Sequence, residues 1–240
     1  MIESAFYRLG RVAGVQFRKA KWMWQSMAGS EADAIQAERG VGHDMAAVVL
    51  EKTPRDADQT TQALLDEIGG RLTTVVRNRF HRFQMTAVHT DRPTAFALPG
   101  GFIFVARSLV DLCDRNRDEV AFVLAHEMAH VIRRHAIDRL LQQKVVSAVA
   151  QASPGRGALA AWIRQIGLHG LERAYSRDQE FEADELGVRL MRAARFESAG
   201  AIRLLQRLGE LDRRPDPLGP YLSTHPPVSD RTRRLRRVAD

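Results

Sequence analysis

The sequence predicts an α+β fold that is mainly helical, with a small sheet of about three strands beside a buried central helix. Three short β-rich runs, FQMTAVHT, AFALPG and GFIFVA, follow one another within residues 83–106 and are separated by turn residues. Before and after these runs, apolar residues recur at helical spacing over much longer stretches. The 240 residues are enough for one compact domain with a sizeable core.

The region before the sheet is expected to contain two helices. Ser30 can cap the first helix, which has acidic residues in its opening turn and should extend to about Leu50. Residues 59–78 show a second amphipathic pattern. Residues 1–29 combine aromatic with basic side chains and are predicted to form an N-terminal arm, which either docks on the domain or lies on an anionic surface. Residues 30–240 are left as the folded domain.

The last two β-rich runs are separated by Pro99, Gly100 and Gly101, which predict a hairpin. The segment at residues 116–140 then predicts a buried helix, because apolar side chains surround nearly the whole helix axis. Asn116 can cap this helix, and Glu119 completes a capping-box pattern. Further helices are predicted up to about residue 153, over residues 157–170, 177–194 and 198–211, and from about residue 229.

The predicted central helix contains His126, Glu127 and His130 in the run HEMAH. The two histidines are four residues apart, so both imidazoles project from one helix face and can bind one small cation. H-E-x-x-H is the signature of zinc hydrolases, in which the glutamate acts as general base. A metal would also compensate for the burial of two imidazoles. The alternative is a pair of core histidines that hydrogen-bond to backbone groups or carboxylates.

A catalytic zinc site needs a third protein ligand and one position open to water. Glu180 and Asp184 are the best candidates, because they share one face of a predicted helix, so that one can bind metal while the other orients a histidine. Glu182 lies about 200° around that helix from Glu180 and should point away. His135 should lie on a rotated face and is interpreted as a surface or packing residue. The full set of downstream candidates is His135, His169, Glu180, Glu182, Asp184, Glu185 and His225.

The runs HEMAH, SRDQEFEAD at 176–184 and THPP at 224–227 together resemble metallopeptidase family forty-eight. The chain is most similar to the soluble Oma-type and BepA-like branch, and it lacks the transmembrane helices of HtpX and the CAAX prenyl proteases. The resemblance implies a zincin-like fold of the gluzincin type with one Zn²⁺ per chain. It implies His126, His130 and Glu180 as zinc ligands, Glu127 as general base and Asp184 as the partner of a ligand histidine.

Three further site predictions concern His225 in the run THPP, Arg231 and the run GFIFV. His225 would either stabilise the transition state or occupy the open metal position and keep the enzyme inactive; its alternative is a loop histidine. Arg231 is predicted to pair with a carboxylate near the site, with a solvated basic face as the alternative. The β-rich run GFIFV is predicted to offer an open edge to which an extended peptide adds as a strand. Its alternative is plain core, and both can hold, because one face can pack while the edge stays open. Its residues are Gly101, Phe102, Ile103, Phe104 and Val105.

The leading functional prediction is a zinc metalloendopeptidase that acts on unfolded or misassembled polypeptides. A catalytically silent chaperone or adaptor that keeps a zinc-bound scaffold is the alternative, and the intact Glu127 favours the enzyme. The net charge of +7 is concentrated near the two ends of the chain, so residues 1–29 could lie on an anionic membrane. No recognition motif for nucleic acid is present. No signal peptide or membrane span is apparent, which predicts a cytoplasmic location.

Overall fold

The computed structural model describes residues 30–142, 175–212 and 228–239, which form eight α-helices and one three-stranded sheet. This confirms the mainly helical α+β class. The predicted arm at residues 1–29 and the predicted helix at 157–170 lie outside the described residues. The helices are α1 (Glu31–Lys52), α2 (Gln59–Thr74), α3 (Arg107–Leu112), α4 (Arg117–Ile132), α5 (His135–Gln142), α6 (Arg177–Ala193), α7 (Ala199–Asp212) and α8 (Val228–Ala239). The strands are β1 (Gln84–Val88), β2 (Ala95–Leu98) and β3 (Phe102–Ala106), and a 3-10 turn, Pro99–Gly101, joins β2 to β3.

Helix α1 begins where the sequence predicts and packs directly on the turn between β2 and β3. The Ser30 side chain accepts a hydrogen bond from the Asp33 N–H at 3.2 Å, which satisfies one of the free amides of the first turn. A Cβ added at Gly42 would lie 1.8 Å from the carbonyl oxygen of Pro99, so only glycine allows this contact. Gly100 within the turn has a φ of 73°, a conformation that favours glycine.

Strand β3 is the central strand of the sheet, whose order is β1-β3-β2. It pairs in parallel with β1, with Met85 opposite Ile103, and in antiparallel with β2, with Ala97 opposite Ile103. The prediction that residues 101–105 offer an open edge is therefore wrong, because β3 is paired on both sides. The predicted hairpin between β2 and β3 is confirmed.

The two outer strands differ in how their free sides are covered. On the outer side of β1, the Gln62 side chain of α2 accepts from the Ala87 N–H at 2.9 Å and donates to the Met85 carbonyl at 3.1 Å. The Asp56 N–H also donates to the Ala87 carbonyl. Strand β2 differs: within the described residues, one of its sides pairs with no strand and with no isolated β-bridge.

Helix α4 runs through the core, and every residue from Glu119 to Val131 is buried. The Asn116 side chain caps it by accepting from the amides of Asp118 and Glu119 at 3.1 and 3.2 Å. The predicted capping box is only half formed, because the Asn116 N–H donates to the Cys113 carbonyl instead. The buried Glu119 carboxylate pairs with two arginines of α7, Arg203 at 3.3 Å and Arg207 at 3.2 Å. These ion pairs fix the start of α4 against α7.

Among the described residues, no helix combines the length and the apolar character that a membrane span requires.

Candidate metal centre

Two helices that pack side by side bring three ligand-type side chains together. Helix α4 presents His126 and His130 on consecutive turns, and α6 presents Glu180 from its first turn. A capping box between Ser176 and Gln179 fixes the start of α6, so the position of Glu180 is set by local sequence. Further along α6, a Cβ added at Gly187 would lie 3.2 Å from the backbone nitrogen of His126, so glycine permits this close approach of the two helices.

The separations between the ligand atoms are close to those of a tetrahedral metal site. The Nε2 atoms of His126 and His130 are 3.1 Å apart, Oε2 of Glu180 lies 3.6 Å from Nε2 of His126, and Oε1 of Glu180 lies 3.4 Å from Nε2 of His130. Two ligands of a tetrahedral zinc, each at 2.0–2.2 Å, are separated by about 3.3–3.6 Å. The two imidazole nitrogens lie slightly closer together than this range, and the three residues form a group that could hold a metal ion.

The burial of these groups also fits a cation. His126, His130 and Glu180 are exposed by only 1%, 0% and 0%. Burying a carboxylate next to two imidazoles is costly unless a positive charge compensates it. Two imidazole nitrogens and one carboxylate oxygen form a donor set that suits zinc, with one position left for water. The residues present thus fit the metal that the sequence predicts.

His126 is held in one orientation by Asp184. Its Nδ1 lies 3.0 Å from Oδ1 of Asp184, so Nδ1–H donates to the carboxylate and Nε2 points to the other ligands. Arg231 of α8 fixes this carboxylate by donating to both oxygens, at 2.7 and 2.9 Å. Its remaining amino group lies 3.5 Å from Glu180. Arg231 is fully buried, so the alternative of a solvated basic face is wrong.

The charges around His126 shift two pKa values. Burial alone would raise the pKa of Asp184, but the charge of Arg231 and its hydrogen bonds outweigh burial and lower this pKa to about 2. Burial alone would lower the pKa of His126, but the hydrogen bond to Asp184 and the two nearby carboxylates outweigh it and raise this pKa. Asp184 is therefore an ionised acceptor at neutral pH, as the orientation of His126 requires.

Of the remaining predicted residues, Glu127 follows His126 on α4 and is buried. His225 lies outside the described residues. Glu182 does not join the ligand cluster, in agreement with its predicted direction, but its carboxylate contacts Arg133 at 2.9 Å and His135 at 3.4 Å.

Sequence reasoning missed His135 and Tyr175. His135 is buried, and its Nδ1 lies 2.9 Å from Nδ1 of His130. The prediction of a rotated face assumed a continuous helix, whereas α4 ends at Ile132 and Arg134 adopts a φ of 62°. This left-handed residue redirects the chain. The Tyr175 ring stacks on the ring of His130 with centroids 3.9 Å apart, and no sequence motif indicates this contact.

This chain is similar in sequence to known metallopeptidases. The sequence profile described as peptidase family M48 matches residues 59–239. The mitochondrial metalloendopeptidase OMA1 of Schizosaccharomyces pombe is 30% identical over 155 residues, and that of Saccharomyces cerevisiae is 35% identical over 156 residues. These alignments cover 64% and 62% of this chain. The beta-barrel assembly-enhancing protease of Yersinia pestis is 25% identical over 204 residues, or 80% of this chain.

The chain spans less than half the length of these curated relatives, at 46%, 44% and 42% respectively. Among solved structures, the crystal structure of S. mikatae Ste24p covers 95% of this chain and 63% of its own, with a TM-score of 0.45 and 15% identity. The family match extends over most of the chain and includes His126, Glu127, His130 and Glu180. This chain belongs to peptidase family M48.

Proposed function

We propose that this chain is a zinc-dependent endopeptidase. The observation that carries the proposal is the buried cluster of His126, His130 and Glu180, whose donor atoms lie 3.1–3.6 Å apart, close to the separations of tetrahedral zinc ligands. Membership in peptidase family M48 supports peptide-bond hydrolysis as the reaction. The intact Glu127 of the H-E-x-x-H pattern also supports it, because zinc binding alone does not require this residue.

Each residue of the cluster has a proposed task. His126, His130 and Glu180 would hold one zinc ion, which when bound polarises the scissile carbonyl and lowers the pKa of the attacking water. Glu127 accepts the proton of that water and delivers it to the leaving amine. Asp184 keeps the Nδ1 proton on His126, and Arg231 keeps Asp184 ionised and in place.

The substrate is proposed to be an extended polypeptide that adds to strand β2. This strand packs against α4, and within the described residues one of its sides pairs with no other strand. Backbone hydrogen bonds to such an edge bind peptides of varied sequence, because they do not depend on side chains. This mode of binding is consistent with the proposed action on unfolded or misassembled proteins.

Two finer proposals concern the wider role of the protein. Protein quality control is supported by the relatives, one of which is named for enhancing β-barrel assembly. A cytoplasmic location with peripheral attachment through residues 1–29 remains a proposal, and the fungal relatives are named as mitochondrial proteins. Comparing liposome co-sedimentation of the full chain with that of a chain lacking residues 1–29 tests the attachment. Equal sedimentation of both would contradict it.

The enzyme is separated from a silent scaffold by replacing Glu127→Gln. The wild type should cleave casein and contain one zinc per chain, and the variant should keep the zinc and lose cleavage. Zinc content is measured by elemental mass spectrometry and cleavage by peptide release. If both proteins bind zinc but neither cleaves casein, the result favours the alternative of a chaperone or adaptor. A wild type that binds no zinc contradicts the proposed metal centre.

For His225, the change His225→Phe should alter the rate of cleavage if this residue stabilises the transition state or blocks the open position.

A further inference from the structure

His130 has a buried neighbour that no motif assigns to the metal centre. The Nδ1 atoms of His130 and His135 are 2.9 Å apart, a normal hydrogen-bond distance. On its other side, Nε2 of His135 lies 3.4 Å from a carboxylate oxygen of Glu182 on α6. The three residues therefore form a chain that starts at the surface and ends at the ring of His130.

The tautomers along this chain follow from one condition. If Nε2 of His130 binds the metal, its proton lies on Nδ1 and must be donated. Nδ1 of His135 is then the acceptor, which requires a neutral ring with the proton on Nε2. That proton points to Glu182, which can only accept. Every proton position is thus consistent with donation from His130 to His135 and from His135 to Glu182.

The surroundings of His135 hold it against His130. The side chain is 3% exposed, so its contact with His130 is shielded from water that could replace either partner. The left-handed conformation of Arg134 brings His135 back toward α4. Tyr175 stacks on the face of His130, so the ring is contacted both on its face and at Nδ1.

The Nδ1 atoms of the two cluster histidines therefore have different hydrogen-bond partners. His126 donates to a carboxylate that a buried arginine holds. His130 donates to a neutral imidazole, and the carboxylate behind that imidazole is half exposed. Partners of this kind fix the ring orientation and the basicity of a metal ligand.

We propose that His135 and Glu182 are positioning residues, which hold the imidazole of His130 in the tautomer and orientation that presents Nε2 to the metal. The inference rests on the proposed function, because it requires His130 to be a zinc ligand. His135 makes the direct contact and Glu182 acts through it, so the loss of His135 has the larger effect.

The test measures zinc affinity rather than activity. Metal-free full-length protein is titrated with zinc in competition with a chromophoric chelator. His135→Phe keeps a flat ring but removes the acceptor, and its zinc dissociation constant should rise about 10- to 100-fold. His135→Asn places an amide oxygen near the position of Nδ1 and should recover most of this loss. Glu182→Ala should weaken binding by less than His135→Phe does.

Arg133→Ala is the matched control, because it removes the other contact of Glu182 and leaves His135 in place. This variant should bind zinc like the wild type. Thermal unfolding of the metal-free proteins separates positioning from packing: the midpoints of His135→Phe and His135→Asn should be similar, whereas their zinc affinities should differ.

Three results would overturn the inference. The first is wild-type affinity in His135→Phe, and the second is an equal loss in His135→Phe and His135→Asn that tracks a loss of stability. The third is a loss in Arg133→Ala as large as that in Glu182→Ala. A wild-type protein that binds no zinc is a different result, because it removes the proposed metal centre and the inference with it.

Discussion

Replacing Arg231→Met tests how much the buried charges behind the metal centre contribute to stability. The guanidinium is fully buried and donates to both oxygens of Asp184 at 2.7 and 2.9 Å. Methionine fills part of the same volume but leaves the buried carboxylate without this partner. Breaking a buried ion pair in this way costs about 3–5 kcal/mol. We therefore expect the free energy of unfolding to fall by about that amount.

Arg234→Met is the matched control for this change. Arg234 lies on the same helix, α8, and also pairs with a carboxylate of α6, with 2.7 Å between Nε and Oε1 of Glu185. Its side chain is 49% exposed, so its ion pair is screened by water. The loss of such a pair costs about 0–1 kcal/mol. Both variants remove one positive charge from α8. The difference between their losses of unfolding free energy therefore reports the effect of burying the ion pair.

The assay is equilibrium urea unfolding of the chelator-treated proteins, which excludes any contribution from bound zinc. The slope of each transition should stay unchanged, so that the midpoint reports stability. If the two variants lose the same free energy of unfolding, the Arg231 guanidinium is not the counter-charge of Asp184 and the reasoning is refuted.

Three further predictions concern packing, pH and metal. Gly42→Ala should lower the free energy of unfolding by about 1–3 kcal/mol, because its Cβ would lie 1.8 Å from the Pro99 carbonyl oxygen. Gly40→Ala, whose Cβ has nothing within 4 Å, should raise the free energy of unfolding by about 0.5–1 kcal/mol. Equal effects of the two changes in urea unfolding would contradict the close contact. The pKa of Asp184 is lowered to about 2, so the stability that this carboxylate contributes is present above its unfolded pKa and is lost as the pH falls toward 2. In Asp184→Asn the free energy of unfolding should therefore fall less steeply with decreasing pH in this range. The same dependence of unfolding free energy on pH in the variant and the wild type would refute this. Zinc at about 100 times its dissociation constant should stabilise the wild type by about 2.7 kcal/mol; a Glu180→Ala variant that gains as much in thermal unfolding would exclude Glu180 as a ligand.

The local features of this molecule could be predicted from its sequence. Ser30 and Asn116 cap their helices as expected, because capping depends on a few neighbouring residues. The facing of His126 and His130 follows from the geometry of one helix turn. The hairpin at Pro99–Gly101 follows from the turn residues, since Gly100 has a positive φ.

The long-range features could not be predicted in the same way. The parallel pairing of β1 with β3 joins strands that are not adjacent in the chain, and it turned a predicted edge strand into the central one. The burial of Arg231 depends on how α8 packs against α6, which no local pattern of basic residues indicates. The position of His135 depends on a single left-handed residue, Arg134. A glycine at this position would have predicted the turn, but an arginine gives no such signal.

A crystal structure of the zinc-soaked protein, with anomalous diffraction recorded at the zinc absorption edge, tests the metal centre most directly. We expect one anomalous peak, about 2.0–2.2 Å from Nε2 of His126, Nε2 of His130 and a carboxylate oxygen of Glu180. An ion bound elsewhere, or a Glu180 carboxylate that does not contact the ion, would contradict the proposed centre.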